Sequence, residues 1–147
     1  MTKAKDIMHH GVECVSEGET LDRAAQMMRE HNVGSLPICG TDGKLTGIIT
    51  DRDIVVRCVA MGQDPSKMRA SDLAQGTPVW CEANADVEEV VQIMGEHHIR
   101  RLPVMENKRL VGIISEADLA VHLPKEQLAE FCESVYSAPP TVVARPM

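Results

Sequence analysis

The chain contains the same sequence pattern twice, and this duplication restricts the folds that it can adopt. Residues 45–54 read LTGIITDRDI and residues 110–119 read LVGIISEADL, so a glycine, an apolar run, a hydroxyl side chain and an Asp recur in the same order. The glycines of the two copies, Gly47 and Gly112, lie 65 positions apart. A repeat of this length predicts two similar units, each built from one supersecondary pattern.

The length of the chain predicts that the two copies pack together as one body. One copy of about 65 residues is marginal alone, because it buries too little apolar surface, whereas 147 residues can form a sizeable core. Gly62 and Pro65 end the preceding helix and mark the connection between the copies. The predicted division is a first repeat at 1–62, a second repeat at 63–123, and a C-terminal helix with a tail at 124–147.

Apolar periodicity predicts an α/β (α+β) fold in which each copy has the order β-α-β-β-α. In the first copy the predicted elements are a turn of helix at 6–8, a strand at 12–15, a helix at 21–31 with Thr20 as N-cap, strands at 35–39 and 45–50, and a helix from Asp51. In the second copy they are a strand at 78–81, a helix with Asp86 as N-cap, and a hairpin of RLPVM and LVGIIS. A further helix is predicted after Pro124, and the tail SAPPTVVARPM is expected to be loose.

Charge and hydropathy argue against two classes of partner. The net charge of −7 and the pI near 5.3 argue against a nucleic-acid surface, because phosphate binding depends on clustered Lys and Arg. No segment approaches the roughly 18 apolar residues of a membrane helix, and the N-terminal residues lack the apolar stretch of a signal peptide. We therefore expect a cytoplasmic protein that binds neither nucleic acid nor membrane.

The repeated motif carries a resemblance to a known family. It reads GIITDRD at 47–53 and GIISEAD at 112–118, and each copy also has a leucine–proline strand, LPI at 36–38 and LPV at 102–104. A tandem β-α-β-β-α repeat with these motifs resembles the cystathionine β-synthase (CBS) domain family over nearly the whole chain. The resemblance implies two repeats packed with pseudo-two-fold symmetry, clefts that hold adenosine-containing ligands such as AMP, ADP or ATP, and a disk-shaped homodimer.

The chemistry of the motif predicts ligand contacts in both clefts. Thr50 and Ser115 would each offer a hydroxyl to a phosphate oxygen, and Asp53 and Asp118 would accept from both ribose hydroxyls. A strand that runs into a helix also leaves unpaired N–H groups, which suit phosphate. In the family's geometry, the residues before the second strand of each copy contact an adenine. The further candidate ligand residues are Pro37, Pro103, Asp51, Arg52, Arg100, Arg101 and Glu116.

The same residues have a purely structural interpretation. Thr and Asp at the start of a helix are also ordinary caps that need no ligand. The clefts are expected to be unequal, because Glu116 adds an acid to the second copy and Ala117 stands where Arg52 supplies a cation in the first. Arg100 and Arg101 are nearby cations for a polyphosphate, or alternatively solvated or dimer-interface residues.

Cysteines and histidines leave redox and metal control open. Cys14 and Cys39 fall in the first two predicted strands, which are parallel neighbours in a βαβ unit, although a cytosolic environment argues against a disulfide. His31 and His97 occupy equivalent helix ends, where the helix dipole favours cations without any metal. Because no HExxH or comparable ligand spacing accompanies the six histidines, we predict no metal site.

Three classes of function compete. The leading hypothesis is a regulatory sensor that requires no cofactor, binds an adenine nucleotide and signals to an unidentified protein partner. An enzyme is disfavoured, because the chain has no nucleophile elbow, Walker loop or recognisable acid pair. The alternative is a structural or redox- and metal-responsive interaction protein whose nucleotide clefts are empty.

Overall fold

The elements of the fold are given by a computed structural model, which describes residues 2–11, 13–74 and 78–136. In chain order they are α1 (Ala4–Ile7), β1 (His9–His10), β2 (Val15–Ser16), α2 (Leu21–His31), β3 (Ser35–Cys39), β4 (Leu45–Thr50), α3 (Asp51–Arg57), a 3₁₀ helix (Val59–Met61), α4 (Ala70–Leu73), β5 (Cys81–Glu82), α5 (Val87–Glu96), β6 (Arg101–Glu106), β7 (Arg109–Ser115), α6 (Glu116–His122) and α7 (Lys125–Tyr136). The predicted α/β class and the predicted order of elements in each copy are confirmed. The tail predicted to be loose lies outside the described residues.

The described residues form two compact units, each with its own sheet and core. The first-copy unit comprises residues 13–74 with Pro78, and its sheet has the order β2-β3-β4. The second-copy unit comprises residues 2–11 and 79–136, and its sheet has the order β1-β7-β6-β5. In each unit a parallel strand pair flanks an antiparallel hairpin, as a β-α-β-β order requires.

The one-residue offset between the copies falls at their hairpin turns, since Pro37 and Pro103 are 66 positions apart and Gly47 and Gly112 are 65 apart. In the second copy, Asn107 and Lys108 join β6 to β7 with φ of 52° and 66°, the pattern of a two-residue type I′ turn. In the first copy the longer segment 40–44 joins β3 to β4, with Gly43 at φ 79°. The length difference therefore lies in a turn, where the strand registers are unaffected.

Helices α2 and α5 each bury one apolar face. α2 buries Met27 and Met28 and α5 buries Met94, so these methionines fill the two cores, as expected for an apolar stripe at helical spacing. Thr20 and Asp86 do occupy the N-cap positions of α2 and α5, but neither side chain caps its helix. The Thr20 hydroxyl donates to Asp22, and the Asp86 carboxylate pairs with the Lys3 ammonium at 2.7 Å.

The first strand of each copy is shorter and starts later than predicted. Among the described residues, Val15 and Ser16 alone pair with β3 from this side, and Cys81 and Glu82 alone pair with β6, whereas strands were predicted at 12–15 and 78–81. Pro78 has no N–H to donate, so the start of the second predicted strand is a poor ladder partner.

The segment that precedes each sequence copy belongs to the compact unit of the other copy. β1 pairs antiparallel with β7, and the N–H groups of Ala4 and Lys5 donate to the carbonyls of Ala85 and Ala83. In the same way, the N–H of Ala70, the first residue of α4, donates to the Glu19 carbonyl of the first-copy unit. The sequence repeats predicted at 1–62 and 63–123 thus contribute segments to both compact units.

None of the helices in the described ranges is long and apolar enough to cross a membrane.

Candidate functional site

The first-copy motif folds into a reciprocal capping box. Thr50 ends β4 and is the N-cap of α3. The Asp53 N–H donates to Thr50 Oγ1 at 3.0 Å, and the Thr50 N–H donates to Asp53 Oδ2 at 3.0 Å. These two bonds satisfy backbone donors at the start of the helix, so the structural interpretation of Thr50 and Asp53 is correct as far as it goes.

The second-copy motif has the same arrangement with one added bond. The Ser115 N–H donates to Asp118 Oδ2 at 2.8 Å, and the Asp118 N–H donates to Ser115 Oγ at 3.3 Å. The Ser115 hydroxyl itself also donates to Asp118 Oδ2, at 3.1 Å. Its hydroxyl proton is therefore committed, whereas the Thr50 hydroxyl donates to no acceptor among the described residues.

Capping leaves part of each carboxylate available. Asp53 and Asp118 are half-buried, and each uses Oδ2 for its cap, while neither Oδ1 accepts a hydrogen bond from any residue that the structure describes. An ionised carboxylate can accept several hydrogen bonds. The capping role and a ligand-binding role are thus compatible in both copies.

Backbone hydrogen bonds tie the predicted adenine segment to the motif. The Asp51 N–H donates to the Gly34 carbonyl at 2.9 Å, and the Glu116 N–H donates to the Arg100 carbonyl at 3.0 Å. Each unit therefore brings the turn before its second strand next to the start of the motif helix, as the resemblance implies.

The leucine–proline strands contribute to the sheets rather than to an exposed surface. Pro37 is buried in β3 opposite Ile48, and Pro103 is buried in β6 opposite Ile113. Because both prolines lie inside strands, the residues beside the motif helices are those of the turns that precede β3 and β6.

The charged candidates of the first copy face solvent. Asp51 and Arg52 are exposed, and Asp51 Oδ1 accepts the Arg52 backbone N–H at 2.8 Å. The Arg52 guanidinium makes no ion pair with a described residue, so it is available to an anion.

The charged candidates of the second copy contact a residue that the sequence analysis missed. The Tyr136 hydroxyl, at the end of α7, donates to Glu116 Oε2, and the Arg100 guanidinium lies 5.7 Å from the centroid of the Tyr136 ring. Arg101 is half-buried in β6 opposite Ser115. No local pattern marked Tyr136, because its partners lie 20 or more positions away in the sequence.

The comparison with protein families agrees with this geometry. Residues 4–59 and residues 70–125 each match the model of the CBS domain. The chain belongs to the CBS-domain family.

Several CBS proteins are similar to it over most of their length. It is 50% identical to hypoxic response protein 1 of Mycobacterium tuberculosis over 137 residues, which cover 93% of this chain and 96% of that protein. It is 40% identical to the CBS domain-containing protein YhcV of Bacillus subtilis, over 83% of this chain and 86% of that protein. It also matches the crystal structure of Hypoxic Response Protein I with two coordinated zinc ions, with 53% identity and a TM-score of 0.74 over 84% of this chain and all of that one.

The first CBS copy contains the disulfide that the sequence left open. Cys14 and Cys39 are bonded, with their Cα atoms 5.8 Å apart, a normal separation for a disulfide. The predicted parallel pairing of their strands is confirmed, because Ser16 lies opposite Cys39. Cys58, Cys81 and Cys132 are free thiols.

The histidines of the CBS pair do not assemble a metal site within the described ranges. No three side chains of His, Cys, Asp or Glu among those residues are grouped so that they could hold a metal ion. His31 Nε2 and Glu13 Oε2 are 3.5 Å apart and form one His–carboxylate pair in the first-copy unit.

Proposed function

We propose that this protein is a regulatory CBS module that binds an adenine nucleotide, AMP, ADP or ATP, beside its motif residues and signals the bound state to a protein partner. The observation that carries the proposal is the repeated capping box, in which each copy holds a hydroxyl and a carboxylate together and keeps one carboxylate oxygen uncommitted. Asp53 Oδ1 and Asp118 Oδ1 are the proposed acceptors of ribose hydroxyls.

The first copy is the better nucleotide site on chemical grounds. Its Thr50 hydroxyl retains a proton for a phosphate oxygen, whereas the Ser115 hydroxyl donates to Asp118. Its Arg52 guanidinium is exposed and unpaired within the described residues, and the second copy has Ala117 at that position. A charge-assisted bond from Arg to phosphate is about twice as strong as a neutral hydrogen bond.

The test uses a substitution that separates ligand binding from capping. Asp53→Ala would remove a helix cap and cost about 1 kcal/mol of stability by itself. Asp53→Asn keeps an amide oxygen to accept the Thr50 N–H but removes the negative charge and one acceptor. We expect AMP, ADP or ATP to raise the melting temperature of the reduced protein, since a ligand at 100 times its Kd stabilises by about 2.7 kcal/mol.

The matched variant is Asp118→Asn in the second copy. We expect Asp53→Asn to reduce the thermal shift more than Asp118→Asn does, with both variants folded by circular dichroism. The proposal fails if the wild-type protein shows no shift with any of the three nucleotides, or if the double variant retains the full shift.

The remaining parts of the proposal concern partners and location. We propose a homodimer that acts in the cytoplasm without enzymatic activity and without binding nucleic acid or membrane. The acidic charge supports the absence of nucleic-acid binding. The three free thiols are compatible with a reducing compartment, in which the Cys14–Cys39 disulfide would be open to reduction. The name of the hypoxic response relative suggests a role in a stress response.

A second candidate function is redox or metal control without a nucleotide. Two observations favour it: the Cys14–Cys39 disulfide, and the zinc ions in the solved structure of a 53% identical protein. Zinc takes three or four protein ligands, and His31 with Glu13 supplies at most two in the described first-copy unit, so this arrangement alone does not fit a zinc site. Metal analysis of the purified protein and a thiol titration with and without reductant test this candidate. Stoichiometric zinc, or two thiols that appear only after reduction, would support it.

A further inference from the structure

Helix α7 lies beyond the CBS match except for its first residue, Lys125. The match ends at residue 125, and α7 spans Lys125–Tyr136. Phe131 and Val135 are buried in the core of the second-copy unit, so the helix is anchored there by its apolar face. Its last residue, Tyr136, is therefore held at a defined position on that unit.

A hydrogen bond and a glycine position the end of α7 against the C-terminal end of α5 and the turn that follows it. His98 Nδ1 lies 2.9 Å from the carbonyl oxygen of Ser134, and because a carbonyl can only accept, this nitrogen carries the proton. Gly95 permits the close approach, since a Cβ at that position would lie 2.8 Å from Ser134 Oγ. The copy-one position 66 residues earlier holds Arg29, whose side chain would block such a helix.

This docking places Tyr136 on two of the predicted ligand residues. Its hydroxyl donates to Glu116 Oε2, and its ring lies 5.7 Å from the Arg100 guanidinium, within cation–π range. The Glu116 N–H donates to the Arg100 carbonyl and joins the start of α6 to the turn before β6. The Tyr136 side chain therefore contacts both of the residues that make this backbone bond.

The first copy has no such contact within its described residues. Gly34 stands where the second copy has Arg100 and offers no side chain to an aromatic ring. Asp51, the counterpart of Glu116, is exposed and bonds only within its own turn and to Gly34. We call the start of the motif helix and the turn before the second strand of each copy its half-site. The two half-sites therefore differ in how accessible they are to a nucleotide as well as in charge.

We propose that α7 is a built-in occlusion element of the second copy: a nucleotide has to displace Tyr136 from Arg100 and Glu116 before it can use that half-site. The inference rests on the proposed nucleotide function and assigns its regulation. A half-site that is mostly closed binds with an affinity reduced by its open fraction. The first copy binds without this penalty, and any partner that draws α7 away opens the second copy.

The test isolates the second copy in an Asp53→Asn background. In that background we compare Tyr136→Ala, Tyr136→Phe and the control Glu133→Ala, using titration calorimetry with AMP, ADP and ATP. Glu133 is exposed on the same helix and makes no hydrogen bond or ion pair with a described residue. Tyr136 is 55% exposed, so its truncation leaves the core intact.

We expect Tyr136→Ala to tighten binding about tenfold, which corresponds to the loss of one weak hydrogen bond and one exposed cation–π contact. Tyr136→Phe retains the ring over Arg100 and should give a smaller gain, and Glu133→Ala should give none. Unchanged or weaker binding in Tyr136→Ala overturns the occlusion while leaving nucleotide binding at the first copy untouched. Absence of binding in the wild type and in every variant overturns both proposals.

A second measurement follows the tyrosine directly. Tyr136 is the one tyrosine of the sequence, so selective labelling gives a single set of ring resonances. In the Asp53→Asn protein, saturating ATP should move these resonances toward those of a free tyrosine, because the hydroxyl leaves Glu116 and the ring leaves Arg100. Ring resonances that stay in place while ATP binds would overturn the displacement.

Discussion

At the scale of single residues, the thiol of Cys81 makes stability depend on alkaline pH. Cys81 is 3% exposed in β5, and burial, with the carboxylates of Glu89 and Glu82 adding to it, raises the pKa of this thiol to about 12 from an ordinary value of 9.0. Above pH 9 the unfolded chain loses a proton that the folded protein keeps. The contribution of the protonated thiol to the free energy of unfolding is fully present below pH 9 and is lost as the pH rises from 9 toward 12.

The first copy suggests the variant that tests this prediction. Val15 occupies the position 66 residues before Cys81 and pairs with its neighbouring strand in the same register. We expect Cys81→Val to change the stability at pH 7 by less than about 1.5 kcal/mol and to lose less stability than the wild type between pH 8 and pH 10.5 in urea titrations. Burial also raises the pKa of Cys58, so the variant keeps part of the decline. Identical declines in the two proteins would contradict the prediction.

At the scale of elements, the motif glycines Gly47 and Gly112 are packed to different degrees in the two copies. A Cβ at Gly112 would lie 2.5 Å from Met8 Sδ and 2.8 Å from the carbonyl oxygen of His9, because β1 pairs with β7 and places His10 opposite Gly112. A Cβ at Gly47 would lie 3.4 Å from the Ala74 Cβ, an ordinary van der Waals contact. We expect Gly112→Ala to cost about 1–3 kcal/mol through overpacking and Gly47→Ala to cost little.

Urea titration checks the pair, and hydrogen exchange shows where the damage lies. In Gly112→Ala the amides of α1 and β1 should lose protection first, because they must move to admit the methyl group. Equal destabilisation by the two substitutions would show that the motif glycine is required by its own strand and not by the contact with α1 and β1.

These elements also show what the sequence could and could not predict. The helix 21–31 and the strands 35–39 and 45–50 were predicted with their observed bounds, because amphipathic periodicity and turn residues are local signals. The pairing of β1 with β7 was missed, since a two-residue exposed strand leaves no periodicity and its partner lies about 100 positions away. The capping groups of the site were predicted from the motif, whereas Tyr136 was not, because only the docking of α7 brings it there.

At the scale of the whole molecule, the exchange of leading segments makes the two repeats interdependent. Residues 2–11 complete the sheet of the second-copy unit, and residues 69–74 belong to the first-copy unit, where the N–H groups of Ala70 and Ser71 donate to the carbonyls of Glu19 and Glu17. Neither sequence repeat, 1–62 or 63–123, therefore contains all of one compact unit.

Exposed apolar side chains mark candidate contact residues for the proposed homodimer. Large apolar side chains are exposed on α3 and the 3₁₀ helix, at Val55 and Val59, and on α6, where Val121 is 79% exposed. An exposed apolar side chain on a helix of each unit is a candidate for a surface that a partner covers. Light scattering on the eluting protein should give about twice the chain mass of 16.1 kDa.

Val121→Asp should raise the dimer dissociation constant about tenfold or more, since it would bury a charge in the interface. Ala129→Asp introduces the same charge at an exposed position of α7 and should leave the dimer intact. A wild-type mass of one chain, or equal weakening by both substitutions, would contradict an interface at α6.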